Sequence, residues 1–346
     1  MENNNSSSGS NSTMSDGPNW SWTPCSTLFF QISAFCTNGS LLYLFVRVPS
    51  LLTPFTIYIV NLLCANFLTT ILFYTMELIN ELYSTWWMGY AMCTFYQYIS
   101  WIFTDAMCNA HVLIALNRLW AVTFPLSYRR HHKKRFAVIV CVVMWIYLHI
   151  CLLPGIIMDA MFYRLPMETN GCNLNTDAMK GWSRTMQILL YDVPEAIVLL
   201  VFPVVCYKTL YRFQPRIVPA AVKHSSVQSR AMVIITNESI NAPSVSNQNG
   251  VAGKKLIRSL CCCDLTRSTG NHHGILALSL MTLTVLICYS PDQIYFTVLI
   301  VFGVDIAGMY SIASIMYQIV AILDPIWFVV ALPDLRAEFR RLFCIH

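Results

Sequence analysis

Charge is what this sequence has least of. Only 11% of its 346 residues are Asp, Glu, Lys or Arg, while 56% are hydrophobic, and a water-soluble surface is not built from that balance. Soluble enzymes and secreted disulfide scaffolds are thereby excluded. A basic start followed by a cleavable apolar stretch is also missing at the amino end, so the first apolar run is expected to act as its own insertion signal. The apolar stretches lack strand-type alternation, which argues against a membrane β-barrel. No internal repeat of the kind found in inverted-repeat transporters is visible.

What is present is a series of long apolar runs. A bilayer core about 30 Å thick takes roughly 20 helical residues to cross, because backbone groups without water must bond to each other. Seven runs qualify: Leu28–Val46, Pro54–Met76, Trp87–Leu116, Phe136–Met158, Met186–Tyr207, Ile275–Phe302 and Ile306–Leu332. The second and fourth hold no Asp, Glu, Lys or Arg. The expected fold is an all-α membrane protein, a seven-transmembrane helix bundle over residues 28–333, followed by a short amphipathic helix within 334–346.

The positive charges are distributed unevenly. Of 22 Lys and Arg, only Arg164, Lys180 and Arg184 fall in loops on one side of these runs; the other 19 fall on the opposite side. The positive-inside bias makes the second side cytoplasmic. The expectation is therefore a multi-pass plasma-membrane protein with its amino terminus outside and its carboxyl terminus inside. A net charge of +5 disposed in this way calls for no nucleic-acid partner. Contact with anionic membrane lipid is the plain reading of any single basic residue.

Residues 1–27 are rich in Ser and Asn and carry acceptor sequons at Asn4, Asn5, Asn11 and Asn19, as an extracellular glycosylated tail would. Residues 214–273 read as a mobile third intracellular loop, where the sequon at Asn237 would carry nothing. Three cysteines lie on the outer side: Cys25, Cys93 and Cys172. Cys93 heads the third run and Cys172 sits in the next outer loop, an oxidising place where a bridge persists. A Cys93–Cys172 disulfide is expected, leaving Cys25 without an identified partner. Cys344 follows an amphipathic stretch and is a candidate for acylation. The triplet Cys261, Cys262 and Cys263 has no His spacing to close a tetrahedron, so no metal is expected, nor any cofactor.

Polar residues inside a bundle are expensive and are functional candidates by default. Asn117-Arg118-Leu119 closes the third run 25 residues after Cys93, about 37 Å of helix. Asn38 stands in the first run, Asn66 in the second, Trp145 in the fourth, Cys288-Tyr289-Ser290-Pro291 in the sixth and Asp324-Pro325-Ile326-Trp327-Phe328 in the seventh. In this order and topology the chain resembles a rhodopsin-like (class A) G-protein-coupled receptor over nearly its whole length. The resemblance implies an extracellular ligand and a heterotrimeric G protein as partners. It casts Arg118 as the arginine that meets the G protein, Pro291 as the kink of the sixth helix, and Asp324-Pro325 as the seventh-helix element. Asn117, Tyr128, Arg129, Arg130, Lys208 and Arg212 would form the coupling surface.

The chain also departs from that pattern. Asn117 stands where an acidic neighbour usually holds the arginine, so Arg118 is expected to be less restrained. Tyr289 replaces a customary Trp, and Phe328 replaces a Tyr. Asn66 and Asp324 look like a reciprocal exchange that keeps one carboxylate and one amide at the midplane. In these departures the chain resembles divergent invertebrate orphan or chemosensory receptors. A decoy that no longer signals is the alternative reading.

For the ligand, the position where amine receptors carry an aspartate is Ser100 here, which argues against a monoamine site of that type. Asp105, Asp192, Glu195 and Asp292 lie in the spans with no Lys or Arg in any run to pair them. Asp292 with Asp192 is expected to receive a cationic group, from a basic peptide or an amine. Ser100, Trp101, Asp105, Tyr295 and Phe296 are expected to join that pocket, with Tyr98 and Tyr191 as further aromatic candidates. His111 and His149 read as hydrogen-bonded packing residues rather than ligands or proton relays, because neither has a His or carboxylate at helical spacing. A photopigment would need a lysine in the seventh run, which has none, and a zinc hydrolase would need converging histidines; no enzyme activity is expected. A transporter is the remaining rival.

Overall fold

The computed structural model describes residues 17–83, 85–213, 276–306 and 308–343. The sequons at Asn4, Asn5 and Asn11, the loop 214–273 with its cysteine triplet, and Cys344 lie outside the described residues, as does the side chain of Arg212. Seven helices are long and apolar enough to cross a membrane: Trp22–Arg47, Thr56–Leu82, Gly89–Thr123, Lys134–Tyr163, Lys180–Thr209, Leu276–Phe302 and Met309–Ala331. They are called here the first to seventh spans. A short helix, Pro125–His131, joins the third span to the fourth, and another, Pro333–Phe343, follows the seventh.

The third span is the central post. In its most apolar window 67% of residues are buried inside the bundle, against 28% in the fourth span. The third span packs against the second, fourth and fifth, while the seventh packs against the first and sixth. The fourth span turns Val138, Ile139, Val142, Val143, Ile146 and Ile150 outward, the lipid face of a rim helix. One core cluster surrounds Met107, Leu148, Leu190 and Tyr289. A second, around Leu41, Leu62, Ile114 and Phe328, reaches Leu335 of the short helix after the seventh span.

Several expected boundaries move. The first span begins at Trp22 rather than Leu28, so the last part of the expected outer tail is helix. The third span continues past Leu116 to Thr123 and places Arg118 within a helix instead of at its end. The second span runs on to Leu82 and takes in Glu77 and Glu81, which the apolar pattern assigns to a loop. Glu77 can stay at 5% exposure because Tyr96 and Tyr310 donate their hydroxyls to its carboxylate. A buried carboxylate with such donors does not force a helix to end.

Among the described residues five helical stretches widen to π-turns: Thr69–Phe73, Asp159–Tyr163, Gln187–Asp192, Val285–Tyr289 and Val298–Phe302. Such bulges interrupt the 3.6-residue phase and re-aim the side chains that follow. Val285–Tyr289 directly precedes Ser290-Pro291, where the Ser290 backbone N–H donates to the Val285 carbonyl and Ser290 Oγ lies 3.1 Å from the same oxygen.

Candidate functional site

The spans enclose a cavity of about 500 Å³, within the size range of small-ligand pockets. Ser100 and Trp101 of the third span and Asp292, Tyr295 and Phe296 of the sixth line it. Asp292 is 5% exposed, lines the cavity, and has no hydrogen-bond or ion-pair partner among the described residues. Among the described residues no other carboxylate and no Lys, Arg or His lines that cavity.

Two of the expected pocket residues are elsewhere. Asp192 does not line the cavity: its Oδ1 accepts from Thr297 Oγ1 at 2.7 Å and from Gln187 Nε2 at 3.4 Å, tying the fifth span to the sixth. The π-turn Gln187–Asp192 shifts the helical phase just before it, which a straight-helix reading of the sequence cannot follow. Asp105 is fully buried away from the cavity. Asn109 donates to its Oδ1 at 2.6 Å and also to the Leu190 carbonyl at 3.2 Å, so Asp105 serves the contact between third and fifth spans. Glu195 accepts the Ser290 hydroxyl. In place of these carboxylates the cavity takes Gln97, Gln187, Gln293, Asn173 and Tyr310. These amides are visible in the sequence, but only helix phase and loop position show that they converge.

Cys93 and Cys172 form a disulfide with Cα atoms 5.5 Å apart. Gln97 Nε2 donates to the Cys172 carbonyl at 2.7 Å, and the next loop residues Asn173, Leu174 and Thr176 line the cavity. The bridge thus fixes loop backbone against the third span. Cys25 is a free, exposed thiol, and Asn19 is exposed. Arg164 and Asp159 form a buried pair at the same end as the bridge.

At the middle of the bundle Asn66 Nδ2 donates to Asp324 Oδ2 at 3.0 Å, so the exchanged amide and carboxylate of the second and seventh spans do meet. Asn38 Nδ2 donates to the Ala321 carbonyl at 2.7 Å and ties in the first span. His111 Nε2 lies 3.2 Å from Asp324 Oδ2. A search for a partner along its own helix could not reveal this carboxylate, which another helix supplies. His149 is hydrogen-bonded to Tyr98 at 2.8 Å. Tyr289 is 1% exposed and stacks near Tyr317, ring centroids 5.9 Å apart. Pro325 lies inside the seventh span and Phe328 is buried in the second core cluster.

At the other end, the Arg118 guanidinium sits 3.4 Å above the Phe55 ring and is paired with no carboxylate among the described residues. Asn117 turns instead to the loop: its Nδ2 lies 2.8 Å from His132 Nε2, and its Oδ1 accepts the Tyr128 hydroxyl at 3.2 Å. Tyr128 and His132 stack with centroids 4.3 Å apart. Burial, and secondarily the Arg118 charge, hold the His132 imidazole below its ordinary 6.5. Burial pushes the Tyr128 phenol up, against a smaller lowering by Arg118. Arg129, Arg130 and Lys208 are exposed. His132 was missed in the sequence because a loop histidine beside another carries no pattern.

Comparison with known proteins gives a consistent result. A family model described as 7 transmembrane receptor (rhodopsin family) matches residues 37–328. Melanopsin of Homo sapiens is 24% identical over 189 residues, 54% of this chain and 38% of that protein. Alpha-2B adrenergic receptor of Macroscelides proboscideus is 24% identical over 208 residues, 59% of this chain and 53% of that one. 5-hydroxytryptamine receptor 1B of Felis catus is 25% identical over 188 residues, 53% and 44% respectively. The chain spans about half the length, or less, of these curated relatives.

Proposed function

The chain belongs to the rhodopsin family of seven-transmembrane receptors, and we propose that it binds a small extracellular ligand bearing a cationic group and answers by activating a heterotrimeric G protein. It is a multi-pass membrane protein; in this reading it sits in the plasma membrane with its amino terminus outside, as the basic-loop bias argues. The outer tail would carry glycans on Asn4, Asn5, Asn11 and Asn19, and Cys344 would be acylated on the inner side.

The observation that carries the reading is Asp292. A carboxylate lining a cavity, nearly removed from solvent and given no donor by its own protein, is set to pair with a cation from outside. Tyr295, Phe296 and Trp101 offer aromatic faces around it, which also favour a cation. The cavity size fits a small amine or a single basic side chain of a peptide better than a folded ligand. Ligand occupancy would bias the bundle between two arrangements. The inner face would then admit a G-protein helix against Arg118, Tyr128, Arg129, Arg130, Lys208 and Arg212, a helix-in-groove contact.

The test is expression of the full chain with a panel of G-protein activation reporters and a library of amines, guanidines and short basic peptides. A cationic agonist should lose roughly tenfold or more in potency on Asp292→Asn, since an interaction with a charged group carries about 1.5–3 kcal/mol. Arg118→Ala should abolish the response. An agonist equally potent on Asp292→Asn would remove the cationic-ligand reading, and signalling that survives Arg118→Ala would remove the coupling surface.

A further inference from the structure

Inside the bundle, two ionisable side chains meet that neither the outer cavity nor the Arg118 end uses. Asp324, 0% exposed, accepts from Asn66 Nδ2 at 3.0 Å on Oδ2, and His111 Nε2 lies 3.2 Å from that same oxygen. His111 is itself 2% exposed; neither of its ring nitrogens makes a hydrogen bond, and Asp324 Oδ1 has no donor either. The one polar group within ion-pair distance of the ring among the described residues is the Asp324 carboxylate.

The surroundings leave few alternatives. Asn38 of the first span bonds backbone carbonyls at Ala34 and Ala321. Asn66 of the second span is an uncharged donor. From the sixth span the Cys288 thiol, and from the seventh the Tyr317 phenol, lie close enough to feel the Asp324 charge. Tyr317 gives its hydroxyl to Thr104 of the third span. No titratable group of the fourth or fifth span is paired with either residue, and among the described residues no Lys, Arg or second carboxylate lies within ion-pair distance of Asp324. A carboxylate taken out of solvent needs opposite charge or several donors. Of its neighbours only the imidazole can carry positive charge.

The geometry points to His111 as the counter-group of Asp324, a positioning residue whose imidazole ties the seventh span to the third and so controls how readily the seventh span shifts when the receptor responds. His111 touches neither the outer cavity nor the Arg118 end; it acts through Asp324. The inference rests on the receptor reading for its consequence in signalling, but the pairing itself has a separate readout. Packing alone would predict that any apolar residue of similar volume serves at position 111. A counter-group predicts that its loss is tolerated only when the carboxylate goes too, because an unpartnered buried charge costs more than a removed pair.

The experiment uses the full-length protein in lipid nanodiscs with purified heterotrimeric G protein, measuring basal nucleotide exchange between about pH 6 and 8.5, the window in which imidazole changes charge. Thermal midpoints are taken on the same samples. His111→Leu and Asp324→Asn should each alter exchange, and His111→Leu/Asp324→Asn together should return it toward the parent, with a departure from additivity of about tenfold, equivalent to ~1.4 kcal/mol. His111→Gln keeps an N–H donor without a titrating ring; it should exchange like the parent at one pH and give a flatter pH profile. Additive single effects overturn the assignment, and so does a His111→Gln profile that superimposes on the parent's. If the parent shows no exchange with any G protein, the receptor reading fails, and the thermal midpoints decide: non-additive shifts uphold the His111–Asp324 pair, additive ones dismiss it.

Discussion

Asn117 Nδ2 lies 2.8 Å from His132 Nε2, which joins the inner part of the third span to the residue just after the helix Pro125–His131. In that contact the amide donates and the imidazole accepts, so His132 takes part as the neutral ring. Its neutrality is supported by burial and by the positive charge of Arg118 nearby.

A pH dependence follows from that contact. The folded-state value of His132 lies below the ordinary 6.5, so the folded loop binds fewer protons than the unlatched one, and stability rises with pH. The latch is at full strength above about pH 6.5 and weakens as pH falls through that value and below. Hydrogen exchange of the Tyr128–His132 amides should speed up several-fold between pH 7 and pH 5.5 after correction for intrinsic exchange. His132→Phe keeps the stack on Tyr128 and should lose the dependence; a variant that retains it would assign the effect to another group.

Asn117→Asp should invert this behaviour. A carboxylate in the amide's place favours the imidazolium, raising the His132 value, and a raised value gives stability that is present at low pH and lost as pH rises through it. The new carboxylate would also offer Arg118 the ion-pair partner it lacks, lowering basal signalling by about fivefold if the pair contributes ~1 kcal/mol. Unchanged basal signalling would show that the Phe55 contact already restrains Arg118 fully.

The bundle was legible in the sequence because each span is a local apolar run and each loop a local charge pattern. The site was legible only in part. Asp292 stood out as a span carboxylate with no basic residue in any run to pair it, but so did Asp192, and the π-turn Gln187–Asp192 that sets its direction leaves no trace in composition. The approach of His111 to Asp324 was illegible for a related reason: the two are 213 residues apart, and helical spacing reports only neighbours on one helix. Glu77 was assigned to a loop because its two tyrosine donors belong to the third and seventh spans.

Gly155 of the fourth span lies against Trp182 of the fifth. A Cβ there would stand 2.1 Å from the Trp182 ring, and the indole also donates to the Cys151 carbonyl at 3.3 Å. Gly155→Ala should therefore destabilise the receptor by about 1–3 kcal/mol through overpacking, read as a lower thermal midpoint. Trp182 packs 5.9 Å from the cavity residue Trp101, ring centre to ring centre, so ligand affinity should fall as well. Gly181→Ala, where nothing lies within 4 Å, is the control and should be neutral or slightly stabilising. Equal effects at the two glycines would refute the close-packing account.

The pair Asp159–Arg164 should prove more sensitive than any exposed charge in the chain. Arg164 gives Asp159 Oδ2 two bonds, from Nε at 2.7 Å and Nη2 at 2.5 Å, and a third to Thr94 at 2.9 Å; both side chains are nearly solvent-free, at 2% and 0%. Asp159 Oδ1 accepts the Asn175 amide at 2.9 Å, and so fixes the loop that lines the cavity beside Cys172. Removing one partner strands the other, so Arg164→Ala should cost about 3–5 kcal/mol and depress cell-surface expression. Arg164→Lys should rescue little, because a point charge cannot make the planar two-nitrogen contact. Arg164→Leu/Asp159→Asn should be milder than Arg164→Ala, since no charge is left behind. A double variant as unstable as the single would mean that the pair matters through its loop contacts and not through the burial of charge.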